Sequence, residues 1–347
     1  MKNSNKKQIA LQLSFFAGII GVTAIFIRFG MTSLLIPVAV VAVIVLLFDF
    51  IMSGIGSAVS SKMKIPKWVN RAYSVLMVVL ISFISLCVLV YAVQDSMFFY
   101  YVNDSESRDF LQGRQGYSEV EFTAENGKTY HGMMYLATEE KAPLVIYFGG
   151  NGEVSYQRLK GLEENNRWSY YAGYHYLFVD YEGYGLNEGK TGQKSMYEGA
   201  LAVYDYAVTL DNVESDRIVT MGYSMGTGSA VYLAANRHVA GIILAAPYAN
   251  GNDLYNNMLP IFYGPMQLLV KQKIPSEEYA PDVSCPALVI ASRSDEAVPF
   301  ASSERLSELF SGDVDFMELD NAWHNEIFQA DGVYDRVQNF LEEVAVI

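Results

Sequence analysis

Hydrophobic and polar positions divide this chain into two parts with different rhythms. Residues 9–27, 31–52 and 72–93 are apolar almost throughout, Asp49 being the one charged residue in them. They lack the polar stripe of a surface helix, and each is close to the roughly 20 residues a helix needs to cross a bilayer. The pattern predicts a membrane domain over 1–93 with three transmembrane helices. A juxtamembrane linker follows over 94–116. Its aromatic run Met97-Phe98-Phe99-Tyr100-Tyr101 reads equally as an interfacial collar or as a packed segment.

From residue 117 onward the rhythm changes. Residues 120–123 and 129–136 alternate around Glu125-Asn126-Gly127, which predicts a hairpin. Short apolar runs then predict buried strands at 144–148, 176–179, 217–221, 241–245, 287–291 and 314–319. Between them lie stretches that predict helices at about 153–164, 195–210, 225–236, 302–310 and 334–344. Such alternation implies an α/β domain over 117–347, with a mostly parallel central sheet covered by helices on both faces. In sheets of this kind the site lies at the carboxyl ends of the strands.

Charge sharpens the division. Residues 1–93 carry eight basic side chains against Asp49, whereas the whole chain has a formal net charge of −14 and a pI near 4.7. That acidity excludes nucleic acid as a partner, since phosphate binding needs a basic surface. Basic residues gather before residue 9 and over 53–71, which places both segments inside. Three crossings then place the domain after residue 93 outside the cytoplasm, and two would leave it inside. The expectation is a multi-pass cell-membrane protein with the lipid bilayer as a partner. Cys87 and Cys285 are too few for a disulfide framework or a thiolate metal site.

The candidate chemistry lies just after the predicted strands. Gly222-Tyr223-Ser224-Met225-Gly226 fits G-x-S-x-G between a strand and a helix. A turn that sharp strains the serine backbone and leaves no room for side chains two positions to either side. Ser224 is the nucleophile candidate, and a hydroxyl needs a base. Of the four histidines, His131 sits within a hairpin strand, and His175 and His238 lie at the wrong ends of strands. His324 follows the last strand on the correct side. The base in turn needs an acid. Asp295 follows the 287–291 strand and is the first choice, with Asp320 and Asp253 in reserve. The oxyanion hole needs two N–H donors: the Met225 amide, and Asn151 or alternatively Gly150 from Gly149-Gly150-Asn151.

With these residues in place, the chain from about 117 to 345 resembles the alpha/beta-hydrolase superfamily, in particular its membrane-anchored serine hydrolases of the esterase and aminopeptidase kind. The matching pieces are Gly149-Gly150-Asn151, Asp180-Tyr181-Glu182-Gly183-Tyr184-Gly185, the Ser224 elbow, Ser294 to Pro299, and His324. The resemblance implies a Ser224–His324–Asp295 triad. Many relatives have histidine at the position of Gly149 and arginine at that of Glu182, departures that touch the oxyanion loop and an ion pair. A short cap is expected over about 247–284, with Tyr248, Tyr255, Phe262 and Tyr263 as the side chains that would face substrate; a helix packed on the core is the other reading of this segment. The expected activity is cleavage of an ester, thioester or amide through an acyl-enzyme, ester being favoured, with a small-molecule or lipid-like acyl substrate. No cofactor and no metal are implied. An acyltransferase on the same site and a non-catalytic scaffold on a hydrolase fold are the competing readings. Sequence leaves the oligomeric state open.

Overall fold

The structure, a computed structural model, describes residues 67–171 and 173–344. The chain divides into two compact units at Met97/Phe98. The described part of the first is a single helix, α1 (Lys67–Phe98), on which Leu76, Val79, Phe83 and Leu86 are exposed.

Among the described residues no helix is long and apolar enough to cross a membrane. This corrects the expected multi-pass membrane localisation, and with it the placement outside the cytoplasm that came from counting spans. The expected spans 9–27 and 31–52 lie outside the described residues. The third, 72–93, falls within α1.

The second unit, Phe98–Ile347, is built on one sheet of eight strands. After a short helix, α2 (Ser105–Leu111), β1 (Tyr117–Thr123) and β2 (Thr129–Tyr135) form the antiparallel hairpin expected around Gly127, which has φ +78°. Then follow β3 (Ala142–Phe148), β4 (His175–Val179), β5 (Val213–Tyr223), β6 (Gly241–Ala245), β7 (Ala287–Ser292) and β8 (Val314–Leu319). The spatial order is β1-β2-β4-β3-β5-β6-β7-β8, and β2 pairs antiparallel with β4 while every later neighbour is parallel. Every residue of β3, β4, β6 and β7 is buried. Helices on both faces exclude water from these strands, so they read as continuous apolar runs. The edge strand β8 keeps polar Asp315 and Glu318.

The crossovers are α3 (Ser155–Glu164), α4 (Gln193–Ala207), α5 (Gly226–Asn236), α6 (Gly251–Met258) and α7 (Phe300–Ser307), and a last helix, α8 (Val333–Val344), follows β8. α8 is strongly amphipathic: Val333, Val337, Phe340, Leu341 and Val344 are buried at helical spacing. α2 was not legible in the predicted linker. Asp104 caps it through Ser107, whose N–H and hydroxyl donate to the carboxylate at 2.9 and 2.6 Å. β5 begins four residues earlier than its apolar core suggests: Val213 pairs with Ala142, and the polar residues 214–217 bulge before pairing with β3 resumes at Ile218 and Leu144.

Candidate active site

Ser224 follows β5 directly and precedes α5, so strand becomes helix within two residues. The backbone pays in conformation: Ser224 has φ +50°, a region costing a non-glycine residue about 1–3 kcal/mol. Ser224 N–H donates to the Ala245 carbonyl on β6 at 2.9 Å, and Thr227 N–H donates to the Ser224 carbonyl at 3.0 Å. Both flanking glycines are required. A Cβ on Gly226 would lie 2.0 Å from the Phe148 carbonyl oxygen, and one on Gly222 would lie 2.7 Å from Thr227 Cα.

His324 stands after β8 at the start of the short 3-10 turn His324–Gln329. Its Nε2 lies 2.8 Å from Ser224 Oγ, and its Nδ1 lies 2.8 and 3.0 Å from the Asp295 carboxylate oxygens. A carboxylate only accepts, so Nδ1 carries the proton and Nε2 turns its lone pair to the hydroxyl. The Asp295 side chain is 2% exposed and that of His324 11%, so water screens their attraction little. Ala297 and Val298 N–H groups each donate to Asp295 Oδ1 at 2.8 Å. The reserves lie elsewhere: Asp253 is held by Ser302 and Arg305, and Asp320 contributes its backbone carbonyl to Ser294. His131 faces Glu121 at 3.6 Å. His175 is buried in β4, and His238 contributes its carbonyl to Tyr204.

Several residues that sequence reasoning passed over position this constellation. Glu296 Oε2 accepts the His324 N–H at 3.0 Å. Tyr223 donates its hydroxyl to the His324 carbonyl at 2.9 Å, and the two rings stack at 5.3 Å. Burial raises the Tyr223 phenol well above its ordinary range, so the hydroxyl stays a donor. Glu153 accepts from Gly150 N–H and from the Tyr147 hydroxyl, each at 2.9 Å. Its place three residues beyond Gly150 was the one available signal, the spacing of a turn closed by a carboxylate.

The loop after β3 therefore has an internal order. Gly150 N–H is engaged by Glu153, and a Cβ on Gly150 would lie 3.7 Å from Ser224 Cβ and 2.9 Å from the Tyr223 ring. Asn151 is the next residue. Met225, on the other side of Ser224, is buried at the N-cap of α5, where free N–H groups and the helix dipole favour negative charge. Gly149 leaves no room for the histidine of many relatives, since a Cβ there would lie 2.5 Å from Phe178 Cζ. Glu182, where many relatives carry arginine, accepts from Lys128 at 2.7 Å, and Lys128 also reaches Glu198 at 2.9 Å.

The 247–284 segment differs in part from the expected cap. Tyr248 is fully buried beneath the elbow, where its hydroxyl donates to the Met225 carbonyl at 3.1 Å. A side chain with no exposed surface does not face substrate, so that expectation is corrected. Tyr255 and Phe262 are buried against each other at 5.7 Å, and Tyr263 is exposed. Asn257 ties α6 to the acid loop through the Glu296 and Ala297 carbonyls.

Residues 186–324 match the model of the Dienelactone hydrolase family. The esterase Pf2001 of Pyrococcus furiosus superposes with a TM-score of 0.56 at 20% identity, covering 71% of this chain and 98% of that one. The chain has the alpha/beta-hydrolase fold. An uncharacterized protein of Mycobacterium tuberculosis is 31% identical over 49% of this chain and 61% of its own length. The alpha/beta hydrolase domain-containing protein aho-3 of Caenorhabditis elegans is 28% identical over 47% of each chain. The chain thus spans between about half and three fifths of the length of these curated relatives. The alpha/beta-hydrolase sheet explains why the five matching pieces, scattered from 149 to 324, meet at one rim: each follows the carboxyl end of a parallel strand.

Proposed function

We propose that this chain is a serine hydrolase that cleaves a carboxylic ester through an acyl-enzyme. The single observation that carries this reading is His324 set between Ser224 Oγ and the shielded Asp295 carboxylate at 2.8 Å on each side. Ser224 Oγ attacks the ester carbonyl carbon while its proton passes to His324 Nε2. The resulting imidazolium is stabilised by Asp295. The Met225 and Asn151 amides hold the oxyanion, a task worth about 10²–10³ in rate for each donor. The ester C–O bond then breaks, and Nε2 returns its proton to the departing alkoxide. Water deprotonated by the same nitrogen attacks the acyl carbon; the acyl–Oγ bond then breaks, Nε2 returns the proton to Ser224 Oγ, and the acid leaves.

Ester is favoured over amide by two likenesses, to the Dienelactone hydrolase family over 186–324 and to an esterase in fold. We assign the acyl group, from a small or lipid-like acid, to the 247–284 segment, whose Met258, Leu259 and Ile261 side chains are exposed. The test is labelling by a fluorophosphonate probe together with turnover of short-chain nitrophenyl esters. Parent protein should label and turn over, and Ser224→Ala should do neither. Equal labelling of both forms, or of neither, defeats the reading.

A further inference from the structure

The segment before the hydrolase fold bears directly on the site. Asn151 is gripped at both ends of its carboxamide by this segment. Its Nδ2 donates to the Phe98 carbonyl, while its Oδ1 accepts from Tyr100 N–H at 2.9 Å and from the Tyr184 hydroxyl at 2.7 Å. A backbone carbonyl only accepts and a backbone N–H only donates, so the orientation of this amide is fixed by its partners. Asparagine alone meets the pattern at this size. Aspartate has no donor for Phe98, and serine is too short to reach two chain positions at once.

Residues 98–102 are anchored at two further places. Gly185 N–H donates to the Val102 carbonyl at 3.0 Å, and the Tyr101 ring packs on Tyr184 at 5.6 Å. Gly183 makes room for that ring, since a Cβ there would lie 2.8 Å from it. Phe98 is buried and stacks flat on Tyr255 of α6, with centroids 4.8 Å apart and planes at 12°. Residues 98–102 therefore bridge the oxyanion loop, the loop after β4 and the 247–284 segment.

We infer that this segment is a positioning strap for the oxyanion hole. Its task is to hold Asn151 so that the Asn151 N–H is aimed before substrate arrives. The need is physical: an oxyanion donor helps only when held within about 0.5 Å of the productive geometry. Gly150, one residue earlier, is already fixed by Glu153. The strap fixes the other side of the same loop. The Asn151 side chain is a positioning group and touches no reacting atom. This inference rests on the acyl-enzyme reading above.

The experiment uses the full chain and four variants: Asn151→Ala, Tyr184→Phe, Tyr100→Pro and Tyr100→Ala. Asn151→Ala keeps the backbone donor and deletes the grip. Tyr100→Pro deletes the strap N–H, and Tyr100→Ala keeps it. The readouts are kcat and KM on a nitrophenyl ester and the Ki of a trifluoromethyl ketone, whose adduct places an oxyanion in the hole. Asn151→Ala should lower kcat about 10–100-fold with KM nearly unchanged, a fraction of what deleting a donor outright costs. The Ki should rise in parallel across the series. Tyr100→Pro should fall at least about tenfold below Tyr100→Ala, and Tyr184→Phe should lose about threefold, as one neutral hydrogen bond would. Equal behaviour of the two Tyr100 variants, or lowered kcat with unmoved Ki, overturns the strap and leaves the acyl-enzyme standing. Absence of Ser224-dependent turnover in the parent removes both.

Discussion

The Tyr223 hydroxyl donates to the His324 carbonyl at 2.9 Å, so the residue before the candidate nucleophile holds the segment that carries its base. The two are separated by 101 positions in sequence. The contact keeps Nε2 over Ser224 independently of Asp295, through the backbone instead of the ring. Tyr223→Phe removes that bond and preserves the ring stacking. Turnover should fall about three- to tenfold, in line with the ~1 kcal/mol of a neutral hydrogen bond, while the fluorophosphonate still labels Ser224. A loss as large as that of a triad member would show that Tyr223 does more than position.

Asp295→Asn tests the acid. The replacement presents an N–H₂ group where Nδ1–H of His324 needs an acceptor, so the imidazole turns to the wrong tautomer. Activity at neutral pH should drop about 10³–10⁴-fold. Folding should survive, as a thermal melt can check, because Asn still has an oxygen for the Ala297 and Val298 N–H groups. Retained activity would move the acid role to another carboxylate.

Gly226→Ala should cost stability as well as activity. The new methyl would lie 2.0 Å from the Phe148 carbonyl oxygen, and the atoms it meets, in Phe148 and Gly149, are all backbone. The elbow must shift, and a destabilisation of about 1–3 kcal/mol, typical of forced overpacking, is expected in urea melts. Gly161→Ala on α3, where a Cβ meets nothing within 4 Å, is the matched control and should be neutral or slightly stabilising.

Asp180 makes stability depend on pH. Burial is the largest influence on it and raises its carboxyl from 3.8 to about 7, against the lowering effect of the Ser155 N–H and hydroxyl that donate to it. The native state then holds a proton that the unfolded chain has released. Stability from this group is complete below about pH 4, declines as pH rises, and is flat again above about pH 7. Asp180→Asn should flatten urea midpoints between those limits. A parent profile that rises through that window at this position would contradict the assignment.

Sequence by itself determined the periodic parts. The buried runs of β3, β4, β6 and β7 are legible because parallel strands covered on both faces keep their few polar residues, His175 and Ser292, at the strand ends. The G-x-S-x-G turn announced Ser224 because its two glycines answer a local steric need. The order of motifs after successive strands singled out His324 and Asp295, since the carboxyl ends of parallel strands share one rim. Hydropathy could not settle the role of α1: composition over 72–93 suggested a crossing, but apolarity measures what a segment avoids, not what covers it.

Tertiary structure alone decided what meets across long separations. An aromatic residue soon after β6 is expected to face substrate, yet the depth of the Tyr248 side chain depends on α5, which packs over it with Gly228 giving it room. The grip of Phe98 and Tyr100 on Asn151 has no periodicity and no motif. It joins backbone groups to a side chain more than fifty residues away. Such bonds are specified by neither partner's local sequence, only by the path the intervening sheet imposes, and so they became visible when the chain was folded.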